Sequence, residues 1–284
     1  MKIAIIGYGE VGTIFAHDLR AKGATIAVYD IDATALARAG DLAAVNPAAA
    51  CAEAEMVFVC VTAGSVPAAM ASLDGALGHG PLVIDVNSVA PSTKQAAARK
   101  IEQAGGRYVE AAVMASAPPK RLRTPILLGG PHAEAFVDAA APFDMDLTPF
   151  SPEIGRASSV KMCRSVMIKG LEALTTECML AARHYGVEQD VLRTMGDTLP
   201  HPDWPGLARY VISRALIHGK RRAEEMREVA RTVEDAGVEP MASRAIAARQ
   251  DWAWRRGAEM GDARTETDLA TLLDALAATK GDAA

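Results

Sequence analysis

The sequence predicts an α/β fold, a doubly wound parallel sheet followed by an all-helical domain, and three observations predict it. Short apolar runs alternate with helical stretches from the start of the chain to about residue 150, the order of a parallel sheet covered on both faces. A glycine-rich GYGEVG follows the first of those runs directly. Beyond Pro149 and Pro152 only helical patterning continues. The chain has 284 residues, and single cores stop growing at roughly 250 to 300 residues. Two domains are therefore expected, 1–153 and 154–284.

The strands are expected at 2–6, 25–29, 56–61, 82–85, 108–113 and 126–128, with a weaker one near 42–45. Alanine-rich helices lie between most of them. In the second half a long helix is expected over 156–185, closed by Gly186. Its apolar residues Val160, Cys163, Met167, Leu171, Leu174 and Cys178 recur at three-to-four spacing, which predicts one buried stripe. Further helices are expected at 189–197, 207–236, 241–255 and 265–278, with Gly237 and Pro240 as punctuation.

Composition narrows the function. The net charge of −5 gives no broad basic footprint, so neither a nucleic acid nor an anionic membrane is an expected partner, and any bound anion must be held locally. No segment is long enough to span a membrane, and the N-terminal apolar run lacks a small-residue cleavage site. Cys51, Cys60, Cys163 and Cys178 have no metal-ligand or CxxC spacing and sit among apolar residues. They read as reduced core thiols of a cytoplasmic protein, and no metal site is expected.

Within GYGEVG, Gly7 permits the tight turn, Gly9 lets the backbone approach a pyrophosphate, and Gly12 lets the next helix pack close. Tyr8, Glu10 and Val11 complete the loop, whose amides face the phosphates at a helix N-terminus. With a strand before it and a helix after it, the motif is a Rossmann dinucleotide fingerprint. Asp30 ends the next strand at the spacing of a ribose-binding carboxylate, which favours NAD, with NADP as the other nicotinamide cofactor. The alternative role for Asp30 is to cap the following helix, with Asp32 as a rival cap. By position at the carboxyl edge of the sheet, Thr62, Asn87 and Ser88 face cofactor and substrate, the alternative for Asn87 and Ser88 being turn formation before Pro91.

With GYGEVG, VIDVNSVAPSTK, YVEAAVMASAPP and GRASSVKMCRSVMIKG all in place, the chain resembles the beta-hydroxyacid dehydrogenase superfamily, which includes 6-phosphogluconate dehydrogenase. The likeness is to its branch with a distinctive helical C-terminal domain, and it covers nearly the whole chain. It implies that Lys161, at the matching position of the interdomain helix, is the general acid and base. It also implies a homodimer built through the helical half. Where the family places an asparagine four residues after the lysine, this chain has Ser165, and the glycines usual near Ser116 are missing. Glu110 matches the family's acidic position. Ser116, Ser88, Arg164 and Ser165 are the residues expected to hold the substrate's acid group.

A lysine suits the task because hydride transfer at carbon requires a proton to leave or reach the neighbouring oxygen. Its alternative role is a solvated helix lysine. The expected activity is reversible hydride transfer between the cofactor and a small 3-hydroxy acid or its oxo acid, in the cleft where Lys161 leaves one domain for the other. An imine reductase is the enzymatic alternative, and an NAD(P)-binding sensor without turnover is the alternative from another class. Two basic runs, Lys120 to Arg123 and Lys220 to Arg222 after His218, could gather an anionic substrate or lie in solvent, as could His201.

Overall fold

In the computed structural model, which describes residues 1–279, the chain divides into two compact units, 1–163 and 164–284. The first unit runs β1 (Lys2–Ile6), α1 (Glu10–Ala21), β2 (Thr25–Tyr29), α2 (Ala33–Ala39), α3 (Pro47–Cys51), β3 (Met56–Val59), α4 (Val66–Ala71), β4 (Leu82–Asp85) and α5 (Pro91–Gln103). It continues through β5 (Arg107–Val113), α6 (Ala117–Lys120), β6 (Ile126–Gly129), α7 (Ala133–Ala140) and β7 (Leu147–Ser151). The strands form one sheet in the order β2-β1-β3-β4-β5-β6-β7, parallel except where β6 runs against β5.

Alternation along the strands explains the doubly wound form. Ile3, Ile5, Met56, Phe58 and Ile84 point into one core, where Phe15 of α1, Phe58 and Phe136 of α7 meet edge to face. Ala4, Ile6, Val57, Val59 and Val83 point into the other, under α3, α4 and α5. The expected strand at 42–45 is reduced to a single bridge between Val28 and Ala43. The strand β7 is absent from the sequence expectation; it is an edge strand, in register with β6 at Leu128 and Pro149, and the edge is where a sheet tolerates proline.

The second unit holds most of α8 (Arg156–Tyr185), then α9 (Glu188–Thr198), α10 (Trp204–Asp235), α11 (Met241–Met260) and α12 (Leu269–Ala278). Asp203 and Asp268 cap α10 and α12 through side-chain oxygens that accept backbone N–H groups. Helices α10 and α11 touch at Gly219 and Gly257, where an added Cβ would come within 2.4 Å of the carbonyls of Gln250 and Leu216 respectively. The chain divides within α8, after Cys163. The first turns of α8 stay with the sheet because its carboxylate Glu110 holds their backbone.

The long helix also corrects the sequence reading. Val160, Met167, Leu171 and Leu174 are all exposed, Leu174 at 69%, and so are Cys163 and Cys178. The opposite face is buried: Ala157, Ser158, Met162, Ser165, Lys169, Glu172, Thr176 and Met179. Two of the four cysteines are therefore surface thiols, while Cys51 is buried and Cys60 half-buried. Among the described residues no helix is long and apolar enough to cross a membrane.

Candidate functional site

The carboxyl edge of the parallel strands gathers most of the predicted residues of the first unit. Gly7 has φ +97°, and a Cβ there would lie 2.5 Å from the carbonyl of Cys60, so the loops after β1 and β3 are pressed together. A Cβ on Gly12 would lie 2.0 Å from the carbonyl of Gly7, which ties α1 onto the loop. A Cβ on Gly9 would meet nothing within 4 Å, and no side chain caps the N-terminus of α1. The open side at Gly9 and the uncapped amides of Glu10 and Val11 fit a dinucleotide's pyrophosphate, with no steric objection from this chain.

Asp30 stands behind that loop. Its Oδ2 accepts the N–H of Tyr8 at 2.5 Å and its Oδ1 the N–H of Asp32 at 2.8 Å. Asp32, not Asp30, caps α2 by accepting the N–H of Thr34. Arg38 reaches the carbonyl of Tyr8 at 3.4 Å. Thr62 is exposed and its hydroxyl lies 3.0 Å from that of Ser65.

Around Asn87 lies a fully buried polar knot. The amide of Asn87 donates to Asp85 Oδ1 at 2.6 Å while its oxygen accepts the N–H of Val61 at 2.8 Å, so the side chain joins the ends of β3 and β4. Lys94 pairs with Asp85 at 3.0 Å, and Tyr108 donates its hydroxyl to Asp85 Oδ2 at 2.7 Å. Burial first, and the charge of Asp85 second, push the Tyr108 phenol well above its usual pKa, so it stays a donor. Half-buried Ser88 follows directly, at the mouth of the same edge.

Glu110 organises the other side. This carboxylate, fully buried on β5, accepts the N–H of Gly155 at 2.7 Å and that of Ser158 at 2.6 Å. Two charge-assisted bonds at a helix N-terminus, with the helix dipole behind them, fix the turn from which Lys161 projects, three residues after Ser158. Gly129 faces the carboxylate so closely that a Cβ there would lie 2.3 Å from Glu110 Oε2. Lys161 itself is half-buried, and Ser116 is exposed at the start of α6.

Arg164, Ser165, the basic run on α10 and His201 belong to the helical unit, and the run Lys120 to Arg123 to the first. Arg164 is exposed. Ser165 is buried and accepts from Lys169 at 3.1 Å, and Lys169 pairs with Glu225 at 2.8 Å. Of the basic run on α10, Lys220 lies over the Trp254 ring, Arg221 pairs with Glu225, and Arg222 pairs with Glu172. In the other run, Arg121 and Arg123 pair with Asp18 and Asp144. His201 receives the N–H of Asp203 on its ring at 3.1 Å, a local turn contact. No group of metal-ligating side chains occurs among the described residues.

Sequence reasoning placed Glu110 without giving it a task, and it passed over Asp85, Lys94 and Lys169. The signal was there: an acid inside LVID and inside YVEAAV interrupts an otherwise apolar strand. Buried charges require partners, so each such interruption marks a network.

Comparison with known proteins agrees with this architecture. Residues 2–144 match the model of the NAD-binding domain of 6-phosphogluconate dehydrogenase, and residues 182–253 match a domain of unknown function, DUF1932. A conserved hypothetical protein from Sinorhizobium meliloti 1021 is 34% identical, with 98% of this chain and 96% of that one covered and a TM-score of 0.74. A conserved protein of unknown function, described as structurally similar to 3-hydroxyacid dehydrogenases, is 28% identical over 90% of this chain and 99% of its own, at a TM-score of 0.67. The 3-hydroxyisobutyrate dehydrogenase of Mycobacterium tuberculosis shares the fold at 16% identity, covering 98% and 99% of the two chains with a TM-score of 0.65. An uncharacterized protein of Methanothermus fervidus is 24% identical over 60% of this chain, which spans 66% of that relative. With half of its length matching that first model, and with NAD(P) as the cofactor its loop accommodates, the chain belongs to the family built on the NAD-binding domain of 6-phosphogluconate dehydrogenase.

Proposed function

We propose that this protein is an NAD(P)-dependent dehydrogenase that moves hydride between its cofactor and a small 3-hydroxy acid or the corresponding oxo acid, with Lys161 carrying the proton. The observation that supports this most is Glu110. A fully buried carboxylate spends both oxygens on the backbone of the turn that bears Lys161, in the same unit as the glycine loop. Such a fixed turn suits a group that must meet a reacting oxygen at hydrogen-bond distance.

A bound nicotinamide supplies the hydride acceptor or donor. As the alcohol is oxidised, its hydroxyl proton passes to the neutral Lys161 amine; in reduction the ammonium returns it and stabilises the developing alkoxide. Ser88 and Ser116 hold the acid group on this reading. Asp30 accepts the ribose hydroxyls and disfavours a 2′-phosphate, giving NAD the preference. Asn87, its amide already engaged at both ends, shapes the cofactor edge rather than contacting substrate through that group.

The exposed row Val160, Met167, Ile168, Leu171 and Leu174 on α8 supports a homodimer in which a second copy covers it. The four free thiols suit a reducing cytoplasm.

The test is Lys161→Met. Turnover of oxo acids with NADH is expected to fall by about 10²- to 10⁴-fold, while fluorescence titration of NADH gives an unchanged Kd. A variant that keeps its turnover within a few-fold removes Lys161 from the chemistry. Reduction of cyclic imines in place of oxo acids would reassign the reaction, and NADH binding without any turnover would favour a sensor.

A further inference from the structure

We propose that Arg214 and His218, one turn apart on α10, form an oxyanion-binding site of the helical unit, shaped for a carboxylate or a phosphate or sulfate group. The proposal does not depend on the dehydrogenase reading, since every residue in it lies in the second unit.

The starting point is an imbalance of charge. Lys169, Arg221 and Arg222 all pair with one of two carboxylates, Glu225 or Glu172. Glu172 is nearly fully buried and already holds both Arg222 and the amide of Gln250, the latter at 2.9 Å. Arg214, half withdrawn from water, has no carboxylate at ion-pairing distance among the described residues. Its recorded partner is His218 Nε2, at 2.9 Å. A guanidinium has no acceptor, so the arginine donates and the imidazole receives on Nε2, leaving the ring's proton on Nδ1.

A second observation points the same way. Arg222 is 7% exposed, yet its Nε has no hydrogen-bond partner. A buried donor of a charged group left unpaired is costly in a folded protein. The groups acting on His218 are Arg214, Arg221 and Arg222, opposed by Glu225, all on α10; from α8, Glu172 acts on Arg214. Burial is the largest cause holding the His218 ring down to about pKa 4, followed by Arg214 and then by Arg221 and Arg222. Burial and the charge of Arg222 likewise lower Arg214. Cations held together in this way are relieved by an anion. A planar guanidinium fork beside an imidazole that can turn donor offers the bidentate geometry that carboxylates and phosphates accept.

The experiment follows the His218 ring by proton NMR in the full-length protein, its resonance assigned by loss in His218→Gln. Sodium sulfate, malonate and inorganic phosphate are titrated separately at pH 6.5, with sodium chloride holding ionic strength constant. A saturable shift of the His218 resonance is expected, and Arg214→Gln should weaken it at least tenfold with the circular dichroism spectrum unchanged. Saturating sulfate should also raise the His218 pKa by about a unit, because the bound anion favours the imidazolium. A stronger response to malonate marks the site as one for carboxylates, and a stronger response to phosphate and sulfate as one for phosphoryl-type groups. Lys161→Met should respond like the native protein, which separates this site from the proposed chemistry. No saturable shift, or an equal shift in Arg214→Gln, overturns the proposal. If Arg214→Gln unfolds, Arg214→Lys replaces it; that variant keeps the charge, loses the fork, and should still bind less tightly.

Discussion

The sheet unit and the helical unit each bury an unusual carboxylate, and they treat it in opposite ways. Glu110 is held by two backbone N–H groups and fixes the start of a helix. Glu172 is held by side chains, Arg222 and Gln250, brought in from two other helices. The first arrangement is local and serves a turn; the second ties α8, α10 and α11 into one unit. The apolar residues divide in the same sense. The sheet unit hides nearly all of its large apolar side chains, whereas Met167, Leu171, Leu174, Tyr210, Met241 and Trp254 of the helical unit face outward. The helical unit thus buries ion pairs beside its apolar core and leaves several large apolar side chains exposed.

The comparison breaks most readily at Glu172. Glu172→Ala strands Arg222 as an uncompensated buried charge and leaves the Gln250 amide without its acceptor, which costs about 3 to 5 kcal/mol. Urea denaturation followed by circular dichroism should show the midpoint falling sharply. A loss below about 1 kcal/mol would mean that the network is solvated and adds little to holding the three helices together.

Glu110→Gln is the milder counterpart. The amide keeps one acceptor for Gly155 or Ser158 but turns an N–H toward the other, so about 1 to 3 kcal/mol is lost. Because the affected turn carries Lys161, kcat should fall by more than stability explains, with the Kd for NADH unchanged. Equal loss of stability with native kcat would restrict Glu110 to a structural cap.

The sheet unit was legible in the sequence almost to the residue, and the reason is physical. Strands buried on both faces read as unbroken apolar runs, and the glycines of GYGEVG admit few other backbones. The weak point was β7, where Leu147–Ser151 carries a proline and half-exposed residues, as an edge strand can. The helices of the second unit were legible to within a few residues in their extents, but the buried face of α8 was not. Periodicity along 156–185 marks two faces, one of Val160, Met167, Leu171 and Leu174, the other of Ser158, Ser165, Lys169 and Glu172. Hydropathy assigns the first to the core. The chain buries the second, because Lys169 finds Glu225 and Glu172 finds Arg222, partners about 50 residues away that no local pattern reveals. Of the candidate site, the glycine loop and Asp30 were named from spacing. Lys161 followed from resemblance alone, while its support from Glu110 needed three dimensions.

The same reversal of faces gives the finest test. Cys163 and Cys178 sit on the outward row of α8, whereas Cys51 is buried, Cys60 is half-buried, and burial pushes the pKa of both thiols up. A single chain therefore offers two accessible thiols to a disulfide reagent and keeps two slow ones. If a second copy covers the row, the native protein at concentrations where it sediments as a dimer should protect some or all of the first pair. Leu171→Asp combined with Leu174→Asp places charge in that interface without touching the buried network. It should give a folded monomer in sedimentation velocity, with both α8 thiols reacting fast. Two fast thiols in a native dimer would move the interface off this row; a native monomer with two fast thiols would leave the apolar face of α8 to a partner other than this chain.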